Sequence, residues 1–138
     1  MKFLYLIFIL FLFCNSAFAN IPIEIIKIYD GDTILAKIEN NKFPIRLYGI
    51  DCYEISANNR AYKQAYLENL NIKEVTEKGK FSKKYLKKLL LNTKIANFEF
   101  KGLDNYKRVL GIIYLDQKNI NNLMLKEGFC TPYSVSPK

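Results

Sequence analysis

A few charged residues in this chain are harder to explain by solubility than the rest. Asp30 and Asp32 flank Gly31 between two apolar runs. Arg46 opens the stretch RLYGIDCYE, in which Asp51 and Glu54 bracket Cys52 and Tyr53 just past a short apolar run. Clustered carboxylates repel one another unless a cation lies between them. Oxygen donors without histidine or thiolate suit a hard ion such as Ca²⁺ or Mg²⁺. Taken alone, DGDT is also an ordinary turn, because Asp and Gly favour turns for conformational reasons.

The arginines narrow the chemistry. Lysine and arginine together number 21, yet only Arg46, Arg60 and Arg108 are arginine. A guanidinium holds phosphate with two parallel hydrogen bonds and keeps its charge. Arg46 and Arg108 therefore become candidate phosphate ligands, with surface ion pairs as the plainer alternative. Arg60 falls in a helical region and receives no role from the sequence. The chain contains no histidine, which excludes histidine acid–base chemistry, His-ligated zinc and a Ser-His-Asp triad.

Positioning these residues requires a frame. Residues 1–19 read as a signal peptide: Lys2, an apolar run from Phe3 to Phe13, and an Ala17-Phe18-Ala19 exit. An uncleaved anchor is the alternative, although the run is short for a bilayer. Residues 20–138 then form a single exported domain, periplasmic or secreted. The formal charge of +8 loses only Lys2 with the leader, and it suits a phosphate-rich partner. Two cysteines remain, Cys52 and Cys130, too few for a cysteine metal site but enough for one disulfide in an oxidising compartment.

Three strands are expected at Ile23–Tyr29, Thr33–Glu39 and Phe43–Ile50, with Pro44 making the third irregular or edge-like near its start. A helix is expected over residues 57–72, where Tyr62, Tyr66 and Leu70 recur every four residues. A second is expected over 79–93, with an apolar stripe of Phe81, Tyr85, Leu86, Leu89 and Leu90 opposite Lys83, Lys84, Lys87 and Lys88. Strands follow at 94–101 and 109–116. A helix then runs over 120–127 with Gly128 as its C-terminal cap, and a loose tail ends the chain. Five strands with helix between the third and fourth imply an α+β, mainly β fold: a five-stranded OB-fold barrel with about three helices.

In that order, DGDT, IRLYGIDCYE and DNYKR ahead of an apolar strand resemble the staphylococcal-nuclease-like (thermonuclease) family, over about Ile25 to Tyr133. The late LMLKEGFC helix end fits the same pattern. The resemblance implies a Ca²⁺-dependent phosphodiesterase that cleaves DNA and RNA and leaves 3′-phosphate ends. It implies Asp32 and Asp51 as metal ligands, with the backbone carbonyl of Cys52 as a third. It implies Arg46 and Arg108 as catalytic arginines and Glu54 as the catalytic glutamate. Tyr106 and Tyr133 become candidates to stack on bases, with the barrel wall as their alternative place.

Two departures accompany the match. The family's D-T-P-E reads Asp51-Cys52-Tyr53-Glu54, so the proline that would stiffen the loop is missing, and the segment after Glu54 is longer. In the family the last helix packs near the site loop, which implies a Cys52–Cys130 disulfide tying that loop down. Two other functions stay open at this level. One is a catalytically weak barrel that only binds nucleic acid or protein, and the other is a cationic protein acting on membranes through its lysine-rich helix.

Overall fold

The computed structural model describes residues 20–90, 92–93 and 95–134. The expected signal peptide lies outside the described residues. The chain runs β1 (Ile21–Ile28), β2 (Thr33–Ile38), β3 (Asn41–Leu47), β4 (Ile50–Cys52), α1 (Asn59–Glu68) and α2 (Ile72–Leu90). It continues through β5 (Ile95–Leu103), β6 (Val109–Leu115), β7 (Lys118–Asn119), α3 (Ile120–Lys126) and β8 (Cys130–Pro132).

Neighbours pair in the order β3-β2-β1-β5-β6, and β3 also pairs with β6, so five strands close on themselves. All pairings in that ring are antiparallel except β3 with β6, which is parallel. This is the closed mixed five-stranded barrel with three helices that the OB-like reading anticipates. Alternation supplies the core: Ile34 and Ala36 from β2, Ile45 and Leu47 from β3, and Phe98 and Ile113 from β5 and β6 are all buried. Leu86 and Leu90 of α2 and Ile120 and Met124 of α3 join the same cluster.

Several boundaries differ from the sequence reading, each for a physical reason. The third strand is not continuous to Ile50. It breaks at Tyr48-Gly49, where Gly49 takes a φ of +79°, and restarts as β4 in a second, two-stranded sheet with β8. The tail is not loose at its start, since Cys130–Pro132 pairs with Ile50–Cys52. Pro44 fits its expected place: β3 pairs with β6 only from Ile45 onward, so the missing N–H of Pro44 interrupts no ladder on that side.

The helices depart further. The second begins at Ile72 instead of 79, because Val75 docks on Ala61 and Ala65 of α1 in a small core of its own. Gly79 is therefore internal to α2. In α1 the buried face is Ala61 and Ala65; Tyr62 and Tyr66 point outward, with Tyr66 87% exposed. The four-residue spacing of aromatics marked the wrong face, since two alanines are small enough to let α1 approach α2 closely. In α2, Leu86 and Leu90 pack inward as expected, but Phe81 is exposed.

Candidate active site

The β1–β2 turn places the first acid. Asp30 Oδ1 accepts the backbone N–H of Asp32 at 3.0 Å, an Asx turn that builds the bend. Asp30 is thus a turn-former, and its carboxyl is pushed above the ordinary range by burial, partly offset by Arg46. Asp32 is the acid of this turn that meets Arg46. Gly31 is required between them: a Cβ there would lie 2.9 Å from Cys52 Cβ and run into the Ser82 hydroxyl of α2.

Strand register does the rest. Thr33 pairs with Arg46 across β2–β3, and the Leu47 N–H donates to the Asp32 carbonyl at 2.7 Å. Asp32 therefore lies beside Arg46. Leu110 pairs with Arg46 across the parallel β3–β6 contact, which brings Arg108, two residues earlier, to the same end. After the Gly49 turn the chain doubles back as β4, so Asp51 reaches the guanidinium that its own sequence neighbour strand supplies.

Arg46 is buried and bridges the acids. Its Nη1 lies against Asp32 Oδ1, and its Nη2 donates to Asp51 Oδ1 at 2.6 Å. Its guanidinium is held below its ordinary pKa first by burial and then by the nearby cations Arg60 and Arg108, with Asp51 and Asp30 opposing. Asp32 is further held by the Cys52 N–H, which donates to Oδ2 at 2.6 Å, and by the Thr33 hydroxyl, which donates to Oδ1 at 3.2 Å.

Glu54 sits on the loop after β4. Its Oε1 is 3.1 Å from Arg60 Nε, and its Oε2 accepts from Asn58 Nδ2 at 2.8 Å. Asn58 is also the N-cap of α1, accepting from the Ala61 N–H at 2.9 Å. Gln64 clamps the same loop from α1: Oε1 accepts the Glu54 N–H at 2.9 Å, and Nε2 donates to the Cys52 carbonyl at 3.0 Å. One side-chain amide thus pairs with two backbone groups as a neighbouring strand would. The missing proline is compensated by this clamp and by Gly79 of α2, whose bare Cα lets the helix touch the Tyr53 and Glu54 carbonyls.

Arg108 closes a tight turn. Asp104 Oδ1 accepts the N–H groups of Tyr106 and Arg108 at 2.8 and 2.9 Å, and Arg108 Nε donates to Asp104 Oδ2 at 2.6 Å. Burial raises the Asp104 carboxyl, but these bonds outweigh it and hold the group below its ordinary range. The Arg108 guanidinium lies over the Tyr106 ring, 5.6 Å from its centre.

A cleft of about 440 Å³ opens at this end of the barrel, lined among others by Arg46, Asp51, Arg60, Arg108, Tyr106 and Tyr133. Tyr106 is 83% exposed and Tyr133 52%, so both form cleft rim and not barrel wall. Asp32 and Glu54 stand behind the lining, linked to it through Arg46 and Arg60. Cys52 and Cys130 face one another across β4–β8 and are joined by a disulfide. The sulfurs are buried beneath the site loop.

Arg60 is the residue that sequence reasoning passed over. From α1 it engages both Asp51 Oδ1 and Glu54. Burial alone lowers its guanidinium, but Asp51 and Glu54 outweigh that and hold it above its ordinary pKa. The scarcity of arginine was a signal for it, equal to that for Arg46 and Arg108.

The sequence profile of the family described as staphylococcal nuclease homologue matches residues 44–138. The chain belongs to that family. The matched span contains Arg46, Asp51, Glu54 and Arg108, and it begins after Asp32. An uncharacterized endonuclease of Haemophilus influenzae is 34% identical over 113 residues, covering 80% of this chain and 51% of the relative. An uncharacterized protein of Methanocaldococcus jannaschii is 31% identical over 120 residues, covering 80% of this chain and 58% of the relative. This staphylococcal nuclease homologue thus spans about half to three-fifths of the length of those relatives.

Among the described residues no group of three or more histidine, cysteine or acidic side chains is arranged to hold a metal ion. The donor set of this family member is of another kind. Asp32 and Asp51 both aim at one cation, the Arg46 guanidinium, so their carboxylates converge on a single positive charge. The third oxygen, the Cys52 carbonyl, belongs to the backbone and keeps a second lone pair beyond its bond from Gln64. Asp32, Asp51 and the Cys52 carbonyl are hard oxygens of the kind Ca²⁺ takes.

Proposed function

We propose that this protein is an exported, Ca²⁺-dependent phosphodiesterase that hydrolyses DNA and RNA with little sequence preference and leaves 3′-phosphate ends. The observation that carries this reading is the gathering of Arg46, Asp51 and Arg108 on one cleft, with Glu54 tied to it through Arg60. These residues are separated by up to tens of positions in sequence, and solubility gives no reason to collect them. An endonuclease name on one relative and membership of a nuclease family point the same way.

In this mechanism Asp32, Asp51 and the Cys52 carbonyl would hold calcium. Once bound, the ion would supply positive charge to a phosphate oxygen as negative charge grows there. Arg46 and Arg108 face the phosphodiester from the cleft lining and stabilise the crowded transition state with their positive charge. Glu54 takes the proton from the attacking water at a carboxylate oxygen. Tyr106 and Tyr133 stack on bases at the rim, and exposed lysines add salt-dependent attraction without sequence readout. Export rests on the leader-like residues 1–19 and is consistent with a cysteine pair placed to form a disulfide.

The deciding experiment is a digest of plasmid DNA and of RNA by the purified protein in calcium, then in excess chelator. Chelator-sensitive degradation of both polymers is expected. Retention of intact polymers under calcium, with binding still measurable, would instead support the binding-module alternative.

A further inference from the structure

Every guanidinium in the cleft is already engaged. Arg46 bridges Asp32 and Asp51, Arg108 is held by Asp104, and Arg60 bridges Asp51 and Glu54. Asp51 therefore serves two arginines at once through the same oxygen, Oδ1. The two contacts are not alike. Arg46 is buried and pinned within β3, whereas half of the Arg60 side chain is exposed, on a helix surface beside an open cleft. A long, half-exposed side chain can swing away from its partners at small cost, since exposed ion pairs contribute little.

Building on the calcium-dependent reading above, we propose that Arg60 is a competing counter-ion for the cation site. In the cation-free protein its guanidinium satisfies Asp51 and Glu54. A divalent ion drawing on Asp51 competes with that guanidinium, as with Arg46, for the charge of one carboxylate, and it sits near both cations. Both effects weaken cation binding. A displaced fork remains on the cleft wall that Arg46 and Arg108 share, where an incoming phosphodiester is the available anion. Arg60 thereby sets the calcium concentration at which the site fills. Nothing in a two-aspartate, two-arginine site requires it, since it comes from the segment that follows the site loop.

Calorimetric titration of the full chain with calcium alone tests this. Arg60→Gln is expected to bind calcium roughly fivefold more tightly than wild type, the size set by two half-exposed ion pairs. Arg60→Lys, which keeps the charge but loses the fork, is expected to fall between them and to show that α1 still docks. Lys63→Gln is the charge control, because Lys63 lines the same cleft without an ion pair to Asp51 or Glu54. Equal or weaker calcium binding in Arg60→Gln overturns the proposal, as does an equal gain in Lys63→Gln. Wild-type calcium binding that Asp51→Asn leaves unweakened overturns the cation site itself. Loss of effect in Arg60→Gln alone, with Asp51→Asn still weakened, overturns only the role of Arg60.

Discussion

Gly79→Ala sets two rules against each other. Gly79 lies inside α2, and in an unobstructed helix alanine would gain about 1 kcal/mol over glycine. Here the added Cβ would lie 2.5 Å from the Glu54 carbonyl carbon and 2.7 Å from the Tyr53 oxygen. Those are backbone atoms, so no rotamer change relieves the overlap; the helix or the site loop must move. Overpacking of this kind costs roughly 1–3 kcal/mol, and a rigid neighbour favours the upper part of that range. The clash wins, and the net loss should be about 1–2 kcal/mol. At about 4 °C per kcal/mol for a domain near this size, the melting temperature should fall by about 4–8 °C. The moved segment is the one that carries Glu54, so kcat should fall as well, on the order of 100-fold for a displacement near 1 Å. Thermal unfolding followed by circular dichroism, together with steady-state nuclease kinetics, reads both effects. A melting temperature that rises, with activity intact, would show that helix propensity governs this position and that α2 does not brace the loop.

Other variants separate the remaining roles. Glu54→Gln should lower kcat by about 10²–10⁴-fold while the protein stays folded, because the amide still accepts the bond from Asn58 but takes up no proton; turnover near wild type removes Glu54 from proton transfer. Gln64→Ala abandons the Glu54 N–H and the Cys52 carbonyl together, so it should cost about 1–3 kcal/mol and lower kcat more than it raises KM; an unchanged kcat would mean that the loop holds its own shape. Reducing the Cys52–Cys130 bond, or replacing both cysteines by serine, should cost about 2–4 kcal/mol, read as a denaturant midpoint with and without reductant; two reactive thiols in the native protein would show that the bond is not formed. Asp104 has a depressed folded-state pKa, so its stabilisation is complete above its unfolded value near pH 4 and fades as pH falls through the lower folded value. The stability gap between wild type and Asp104→Asn should therefore be flat at neutral pH and close only in acid, and a gap that closes near neutrality would contradict the assignment.

What the sequence made legible was local. Asp30-Gly31-Asp32 announces a turn, alternation in β2 announces a half-buried strand, and Leu86 and Leu90 announce a helix face; each is set within a few residues. What stayed hidden depends on register across distant segments. The parallel contact that brings Arg108 to Arg46 joins residues more than sixty apart, and nothing in the periodicity of either strand specifies that neighbour. The antiparallel pair of β4 with β8 was hidden for the same reason, since a three-residue strand is too short to show a period. The order of motifs supplied this information where physical pattern could not.

The segment after Glu54 shows the limit from the other side. Its tyrosines looked like the buried stripe of α1, yet two alanines do the packing, and polar residues beside them do the positioning. Asn58, Arg60 and Gln64 occupy successive turns of α1 and its cap, so all three project toward the site loop. A helix read for its apolar face conceals this, because here the polar face is also directed inward. A loop without proline is therefore not a loop without order: the helix that follows it holds Cys52 to Glu54 through an amide, a cap and an ion pair.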